Sequence, residues 1–386
     1  MNWSAIRQDL SKSSLRDKVI AIGFIPLVII GLVLGIYLSL SLYHYNSVVS
    51  LQTDTTIVPV LGNNSWSSLH GVNYAWGVLG IQCCADPPAT DFPIMHSLGF
   101  NLIRVPLSWN VYEQDPSAYI GYLNQVANEA DSLGMRVVYD AHGGQPWPSL
   151  FFPSSMQSGY SSIETFSTAL WTRSLTYNGQ DAWTAEWNDF WVPVIQTVDS
   201  HSSTFGYEIM NEPNPGTAPL SDMQAYNQFI ADHLQAVSSK YIVFMGPYVS
   251  LSTSADEQVA PTGVDRLVMD AHCYIGTSTN PGPCAQNGGL QQNLVNVASV
   301  GTTLGIHIWI GEWAVCNPAG CTVTQSQARS IIMGYLSQFE QNDFANTYWV
   351  WKCDTNSATV GQTDLLTAYP GCNTYWLDTQ LSQAEG

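Results

Sequence analysis

The chain has 386 residues, of which 45% are hydrophobic and 12% aromatic, so it is long enough to bury a substantial core. Only 11% of the residues are charged, well below the ~25% of ordinary soluble domains. The formal net charge of −19 argues against nucleic-acid binding, because a surface that binds phosphates is basic.

The beginning of the chain has the pattern of a membrane anchor. Basic residues precede position 19, and residues 19–45 contain no Asp, Glu, Lys or Arg. This run exceeds the ~20 residues that cross a bilayer. It is also longer than the ~7–15 residues of a signal-peptide core, and no clear small-residue cleavage site follows it. We therefore predict a cytoplasmic basic tail over 1–18, a transmembrane signal anchor over 19–45 and a linker over 46–65. The rest would be extracellular, or secreted if the anchor is cleaved.

All eight cysteines follow the apolar run, and an even number in an exported domain favours disulfides. Cys316–Cys321 is the favoured pair, and Cys273–Cys284 and Cys353–Cys372 are further candidates. This choice would leave Cys83 and Cys84 for each other, so the connectivity stays open. No C-x-x-C pair is present, and no metal is expected.

Eight short apolar runs follow the linker, and most are continuous, as in strands that are buried on both faces. The runs cover residues 69–75, 101–109, 135–143, 204–213, 241–247, 267–274, 306–313 and 347–354. Helical spacing occurs between them, at 120–134, where Gly134 would end the helix, at 221–239 and at 324–343. This alternation predicts an α/β fold, a single (β/α)8 TIM barrel over residues 66–386. An open doubly wound sheet is the alternative, but no glycine-rich fingerprint follows the first strand.

Polar and aromatic side chains lie at the ends of these predicted strands. They are Arg104, Asp140, His142, Asn211, Glu212, His272, Tyr274, Glu312, Trp349 and Trp351. Each alone has an ordinary structural explanation, such as a solvated glutamate or a core tryptophan. In a barrel, however, the carboxyl ends of all strands meet at one rim, where active sites form. Glu212 and Glu312 should therefore face each other across the barrel mouth.

Two facing carboxylates suit glycoside hydrolysis, in which one group protonates the leaving oxygen and the other acts as an ionised carboxylate. A separation of about 5–5.5 Å accompanies retention of anomeric configuration, and about 6.5–9.5 Å accompanies inversion.

Six motifs, in the same order along the chain, resemble those of glycoside hydrolase family 5. They are NLIRVPLSW, YDAHGG, EIMNEPNPG, DAHCY, WIGEWA and YWVWK, in chain order. The resemblance covers residues 66–386 and implies a retaining (β/α)8 enzyme with catalytic glutamates after strands 4 and 7.

The resemblance also implies roles for individual residues. Glu212 would be the acid/base and Glu312 the nucleophile. Asn211 would hydrogen-bond the sugar 2-hydroxyl, and Arg104 would keep Glu312 ionised by its charge. Tyr274 would donate a hydrogen bond to Glu312.

Further residues would contact the sugar or the carboxylates. His142 and His272 would contact either the sugar or the carboxylates. A strand-8 tryptophan would form the stacking floor, and Trp351 is favoured over Trp349 because it is nearer the rim. Second-tier candidates for substrate contact are Asn73 and Trp109.

The leading expectation is an endo-β-1,4-glucanase that acts on a polysaccharide or oligosaccharide as a monomer without a cofactor. A β-mannanase, a β-1,3-glucanase and a glycolipid glycanase remain alternatives, since the family spans them. A non-catalytic carbohydrate-binding protein of the cell surface is an alternative of another class. Trp147, Phe151 and Phe152 would either extend a sugar-stacking cleft or pack as a lid.

Overall fold

The computed structural model describes residues 65–80, 85–143, 151–247, 254–274, 284, 289–314 and 325–351. All of them belong to one compact unit, Thr53–Gly386. The predicted anchor at 19–45 lies outside these residues. Within the part of the chain that is described, no helix combines the length and apolarity that a membrane crossing needs.

Eight parallel strands close into a barrel, which confirms the predicted (β/α)8 architecture. They are β1 (His70–Asn73), β2 (Leu102–Leu107), β3 (Arg136–Ala141), β4 (Thr204–Glu208), β5 (Tyr241–Met245), β6 (Leu267–Tyr274), β7 (His307–Ala314) and β8 (Ala345–Tyr348). Each strand pairs with its neighbours in chain order, and β8 closes the barrel on β1.

Ten α-helices accompany the strands in the described residues. They are α1 (Pro88–Ser97), α2 (Trp109–Gln114), α3 (Pro116–Leu133), α4 (Ser154–Gln157), α5 (Ile163–Trp171), α6 (Ala182–Glu186), α7 (Val192–Val198), α8 (Leu220–Val237), α9 (Gly289–Leu304) and α10 (Gln325–Asn342). The three helices predicted from spacing correspond to α3, α8 and α10. Gly134 ends α3 in the left-handed conformation, with φ of 67°.

The connection between β3 and β4 is long, and we call its residues 151–203 the β3–β4 insertion. It contains α4 to α7, an antiparallel hairpin (Thr176–Tyr177 with Gln180–Asp181) and a π-helical turn at Trp187–Trp191. The insertion packs beside the carboxyl end of β4, where the predicted acid/base residue lies.

The barrel interior changes character along its axis. Its amino-terminal end is apolar, and Trp66 packs there against Phe205 with 5.9 Å between ring centroids. Towards the carboxyl end, the fully buried side chains of Arg104, Asp140 and Glu208 replace the apolar layer. The charged end is therefore the end that carries the site.

Two sequence predictions are settled by the fold. The Cys273–Cys284 disulfide is confirmed, while the other proposed pairs involve cysteines outside the described residues. The bounds predicted for strand 8, 347–354, are wrong, because β8 covers Ala345–Tyr348. The two-residue alternation of a strand therefore does not extend to Trp349 and Trp351.

Candidate active site

Glu212 and Glu312 come together at the carboxyl-terminal rim of the barrel. Glu312 lies within β7 and is 5% exposed. Glu212 follows the end of β4 by four residues, and 21% of its side chain is exposed. A carboxylate oxygen of Glu212 and one of Glu312 lie within 4.8 Å of each other.

Arg104 organises the site from below. It is fully buried on β2, and its Nη1 donates to Glu312 Oε1 at 2.7 Å, while Nη2 donates to Asn211 Oδ1 at 2.7 Å. Nε and Nη2 also bind both oxygens of Glu208, at 2.8 and 2.9 Å. Burial would lower the pKa of Arg104, but the charges of Asp140, Glu208 and Glu312 raise it well above its ordinary value. The guanidinium is therefore a permanent positive charge against Glu312.

Three further buried acids surround this arginine: Asp140, Glu208 and Asp270. Asp140 Oδ2 is 3.0 Å from Arg104 Nη2, and Asp270 Oδ2 is 3.8 Å away. Burial raises the pKa of Glu208 well above its usual range, and the charges of Asp140 and Asp270 add to this against the opposing effect of Arg104. Burial therefore favours the protonated form of Glu208, whereas the two hydrogen bonds from Arg104 favour its carboxylate. Neither Glu208 nor Asp270 was predicted as a site residue, although a charged residue inside an apolar strand is an informative signal.

His272 connects the two glutamates. Its Nδ1 lies 2.8 Å from Glu212 Oε1 and 3.4 Å from Glu312 Oε2, and its Nε2 lies 3.3 Å from Asp270 Oδ2. Burial would lower the pKa of His272, but the charges of Glu312 and Asp270 and its hydrogen bonds raise it well above its ordinary value. His272 therefore lies among three carboxyl groups, and two of them, Glu312 and Asp270, favour its protonated form by their charge.

Tyr274 completes the surroundings of Glu312. Its hydroxyl donates to Glu312 Oε2 at 2.7 Å. Burial and the charge of Glu312 raise the pKa of this phenol well above its usual value, so it stays a donor. Each oxygen of Glu312 therefore accepts a hydrogen bond, one from Arg104 and one from Tyr274.

Donor atoms of Glu212, His272 and Glu312 all lie within 4.8 Å of one another, a spacing that could hold a metal ion. These atoms also have partners within the protein: His272 Nδ1 lies 2.8 Å from Glu212 Oε1, and Glu312 accepts hydrogen bonds from Arg104 and Tyr274. Hydrogen bonding therefore accounts for their proximity.

The residues around Glu212 and Glu312 are fixed through the backbone. Asn211 Nδ2 donates to Gly143 O at 2.8 Å. Glu212 has φ of 38°, in the left-handed region that non-glycine residues rarely adopt. Gly311 N donates to Asp270 Oδ1 at 2.7 Å, and a Cβ on Gly311 would lie 2.3 Å from the Asp270 carboxylate. Only glycine therefore fits immediately before Glu312.

Asn73 is a supporting residue. It is fully buried, accepts from Arg104 Nη1 at 3.0 Å and donates to Gly311 O at 2.8 Å. The prediction that it contacts substrate is corrected, because its side chain is enclosed and satisfied by the protein.

The aromatic predictions also need correction. Trp351 is fully buried, so its ring offers no face to a sugar. Trp349 is half-buried, and its ring stacks on His142 with 5.6 Å between centroids and an interplanar angle of 15°. His142 Nδ1 in turn lies 2.6 Å from Asp140 Oδ2. Of the two tryptophans that follow β8, Trp349 is the one that is partly exposed beside His142.

Trp109 is 1% exposed and packs against Tyr177 of the insertion, so it too is core rather than a substrate contact. Phe151 and Phe152 are buried and pack against each other, which agrees with packing as a lid rather than with a sugar-stacking cleft. Trp147 lies outside the described residues.

Residues 61–355 match the family model described as Cellulase (glycosyl hydrolase family 5). An endoglucanase of Clostridium saccharobutylicum is 22% identical over 227 residues, which are 58% of this chain and 40% of the relative. A glucan 1,3-beta-glucosidase I/II of Saccharomyces cerevisiae is 27% identical over 148 residues, 36% of this chain and 30% of the relative. The chain thus spans less than half the length of these curated relatives.

Solved structures share the barrel. The endoglucanase Cel5A of Pseudomonas stutzeri in complex with cellobiose superposes with a TM-score of 0.56 at 17% identity, over 83% of this chain and 92% of that one. The lactosyl-enzyme intermediate of endo-glycoceramidase II from Rhodococcus sp. gives 0.61 at 15% identity, over 81% and 78%. These likenesses concern the fold.

Proposed function

Because the chain belongs to glycosyl hydrolase family 5, the cellulase family, we propose that it is a retaining endo-β-1,4-glucanase. Glu312 is the nucleophile and Glu212 the acid/base. The observation that carries the proposal is the spacing of the two carboxylates, whose nearer oxygens lie within 4.8 Å. Because this limit refers to the nearest oxygens, it is consistent with carboxyl groups about 5–5.5 Å apart, as in retaining enzymes, and favours these over the about 6.5–9.5 Å of inverting ones.

The hydrogen bonds of the two glutamates support different roles for them. Arg104 and Tyr274 stabilise the carboxylate of Glu312, which attacks the anomeric carbon. Glu212 Oε1 accepts from His272, which leaves Oε2 to carry the proton for the leaving oxygen. The bond from Glu312 to the sugar forms as the glycosidic bond breaks. Glu212 then takes a proton from water, which displaces Glu312 and releases a product of retained configuration.

Two further side chains are placed to hold the sugar. Asn211 uses one amide hydrogen on Gly143 O, and its second hydrogen is available to the sugar 2-hydroxyl. Trp349 is half-buried at the rim and offers a ring face to the apolar C–H face of a glucose unit.

Two variants test the catalytic assignment. Glu312→Gln should abolish turnover, and added azide should not restore a retained product. Glu212→Ala should stay active on substrates with good leaving groups, because these need no protonation. Near-wild-type hydrolysis of polymer by either variant would contradict the assignment.

Reducing-sugar release from carboxymethyl cellulose, barley glucan, laminarin, mannan and xylan tests the substrate. We expect the highest activity on carboxymethyl cellulose. A β-1,3-glucanase is the second candidate, and the similarity to a yeast glucan 1,3-beta-glucosidase favours it. Preferential release from laminarin would support that candidate and reject the first.

We also propose that the enzyme is held in the membrane by residues 19–45, with the barrel outside the cell. The charge pattern of the first 45 residues and the Cys273–Cys284 disulfide support this. Full-length protein should sediment with membranes and resist carbonate extraction. Recovery in the soluble cytoplasmic fraction with reduced cysteines would contradict it.

A further inference from the structure

The loop that follows Glu212, residues 213–217, is attached to helix α5 of the β3–β4 insertion. We call it the acid/base loop. Trp171 Nε1 donates to Asn214 O at 2.6 Å. The backbone N–H of Thr217 donates to Thr168 Oγ1 at 2.9 Å. Both hydrogen bonds join the last turn of α5 to this loop.

Gly216 shows how close the loop and the helix are. It has φ of 59°, and a Cβ there would lie 2.5 Å from Thr168 Oγ1 and 2.6 Å from Glu164 O. Glycine is therefore required at this position both by its backbone conformation and by the approach of α5.

Apolar packing between the loop and the insertion is incomplete. A cavity of about 20 Å³ separates them. Its lining includes Phe152, Phe166, Leu170, Met210 and Pro213. A third hydrogen bond, between the hydroxyls of Thr168 and Thr217 at 3.1 Å, also joins α5 to the acid/base loop beside this cavity.

Helix α5 is itself firmly anchored. A capping box between Ser162 and Thr165 closes its amino terminus. At its other end, the Trp171 ring packs on Tyr226 of α8 with 5.0 Å between centroids. Trp183 Nε1 donates to Leu170 O at 2.7 Å from within the insertion. The helix can therefore serve as a fixed support.

Glu212 needs such a support, because a left-handed backbone at a non-glycine residue is strained and persists only where its surroundings hold it. On its amino-terminal side, Asn211 is bound by Arg104 and Gly143. On its carboxyl-terminal side, the attachment runs through the acid/base loop to α5.

We propose that Trp171 and Thr168 are positioning residues for the acid/base Glu212, acting through the acid/base loop. This rests on the proposed role of Glu212. Releasing the loop lets Glu212 relax from its left-handed conformation, so its carboxyl group loses alignment with the leaving oxygen. Glu312 lies on β7 and does not depend on this attachment.

The test uses aryl β-cellobiosides with leaving groups from dinitrophenol to unsubstituted phenol. Trp171→Phe keeps an aromatic ring beside Tyr226 and removes the indole N–H that donates to Asn214 O. We expect kcat/KM with the dinitrophenyl substrate, which reports the glycosylation step, to stay within about twofold of wild type, while kcat falls because Glu212 also serves as the base for water. With poor leaving groups kcat/KM should fall by roughly 10- to 100-fold, as for a catalytic group misplaced by about 1 Å.

Trp183→Phe is the matched control. It removes an indole donor to the same helix, but this donor does not touch the acid/base loop. Its leaving-group dependence should equal that of wild type. Thr168→Val, which removes the acceptor for Thr217, should show the same pattern as Trp171→Phe and provides a second test if that variant folds poorly.

The outcomes separate this proposal from the assignment of Glu212. If Glu212→Ala shows steep leaving-group dependence while Trp171→Phe and Thr168→Val show that of wild type, the positioning role is rejected and the acid/base assignment stands. A uniform loss over all leaving groups in both positioning variants also rejects it, since it would indicate general destabilisation. If Glu212→Ala itself shows no such dependence, the proposed function fails first.

Discussion

Glu186, which lies outside the active site, should make the free energy of unfolding depend on pH. It ends α6, is fully buried, and accepts hydrogen bonds from Tyr226 Oη at 2.8 Å and Trp191 Nε1 at 3.1 Å. Burial raises its pKa to about 8 against the opposing effect of these donors. In the native protein it therefore keeps its proton at neutral pH.

The size of the effect follows from linkage. The pKa rises from 4.5 in the exposed group to about 8 in the native state, a difference of 3.5 units. At about 1.36 kcal/mol per unit this is roughly 5 kcal/mol. Between these two values the native state holds a proton that the unfolded chain has released. The stability is therefore fully present below about pH 4.5, falls as the pH rises, and is lost above about pH 8.

The measurement is the free energy of unfolding in urea at pH 5, 6.5 and 8, for wild type and Glu186→Gln. The neutral amide cannot ionise, so the stability of the variant relative to wild type should rise by roughly 3.5 kcal/mol between pH 5 and pH 8, the part of the linkage that falls in this interval. Glu340→Gln makes the same chemical change at an exposed position of α10 and should follow wild type. Parallel curves for Glu186→Gln and wild type would refute the reasoning.

Other variants test the site and the fold. Gly311→Ala should lower kcat/KM at least about tenfold without loss of secondary structure by circular dichroism, because a Cβ 2.3 Å from a buried carboxylate displaces the adjoining Glu312, the proposed nucleophile. Trp349→Ala should raise KM on cello-oligosaccharides with little change in Tm, whereas Trp351→Ala should cost about 3–5 kcal/mol in urea unfolding because that ring is buried. Cys273→Ser should lower the free energy of unfolding by about 2–3 kcal/mol, as expected for opening a short disulfide loop. Unchanged values in these assays would contradict each argument in turn.

Much of the fold could be read from the sequence because strands buried on both faces leave continuous apolar runs. The polar ends of those runs could be recognised for the same reason: Glu212 and Glu312 interrupt apolar stretches where a barrel opens. The pattern located the rim, and the structure shows that both side chains meet there.

The errors have physical causes. Trp351 was favoured by assuming that β8 continues to the rim, but the strand ends at Tyr348 and the next tryptophan is the accessible one. Glu208 and Asp270 were overlooked because their importance depends on Arg104 from another strand. Helix α5 could not be linked to Glu212 from sequence, since forty residues separate two segments that only the folded insertion brings into contact.

The two glutamates lie on different kinds of element, and this matches the different roles proposed for them. Glu312, the proposed nucleophile, is held on a barrel strand with donors on both oxygens. Glu212, the proposed acid/base, would give a proton in one step and take one in the next, and it lies on a loop with a more exposed side chain. A loop alone would be too loose for proton transfer, which depends on geometry within a fraction of an ångström. The insertion resolves this conflict, because α5 fixes the loop from outside while the carboxyl group of Glu212 stays open to the cleft.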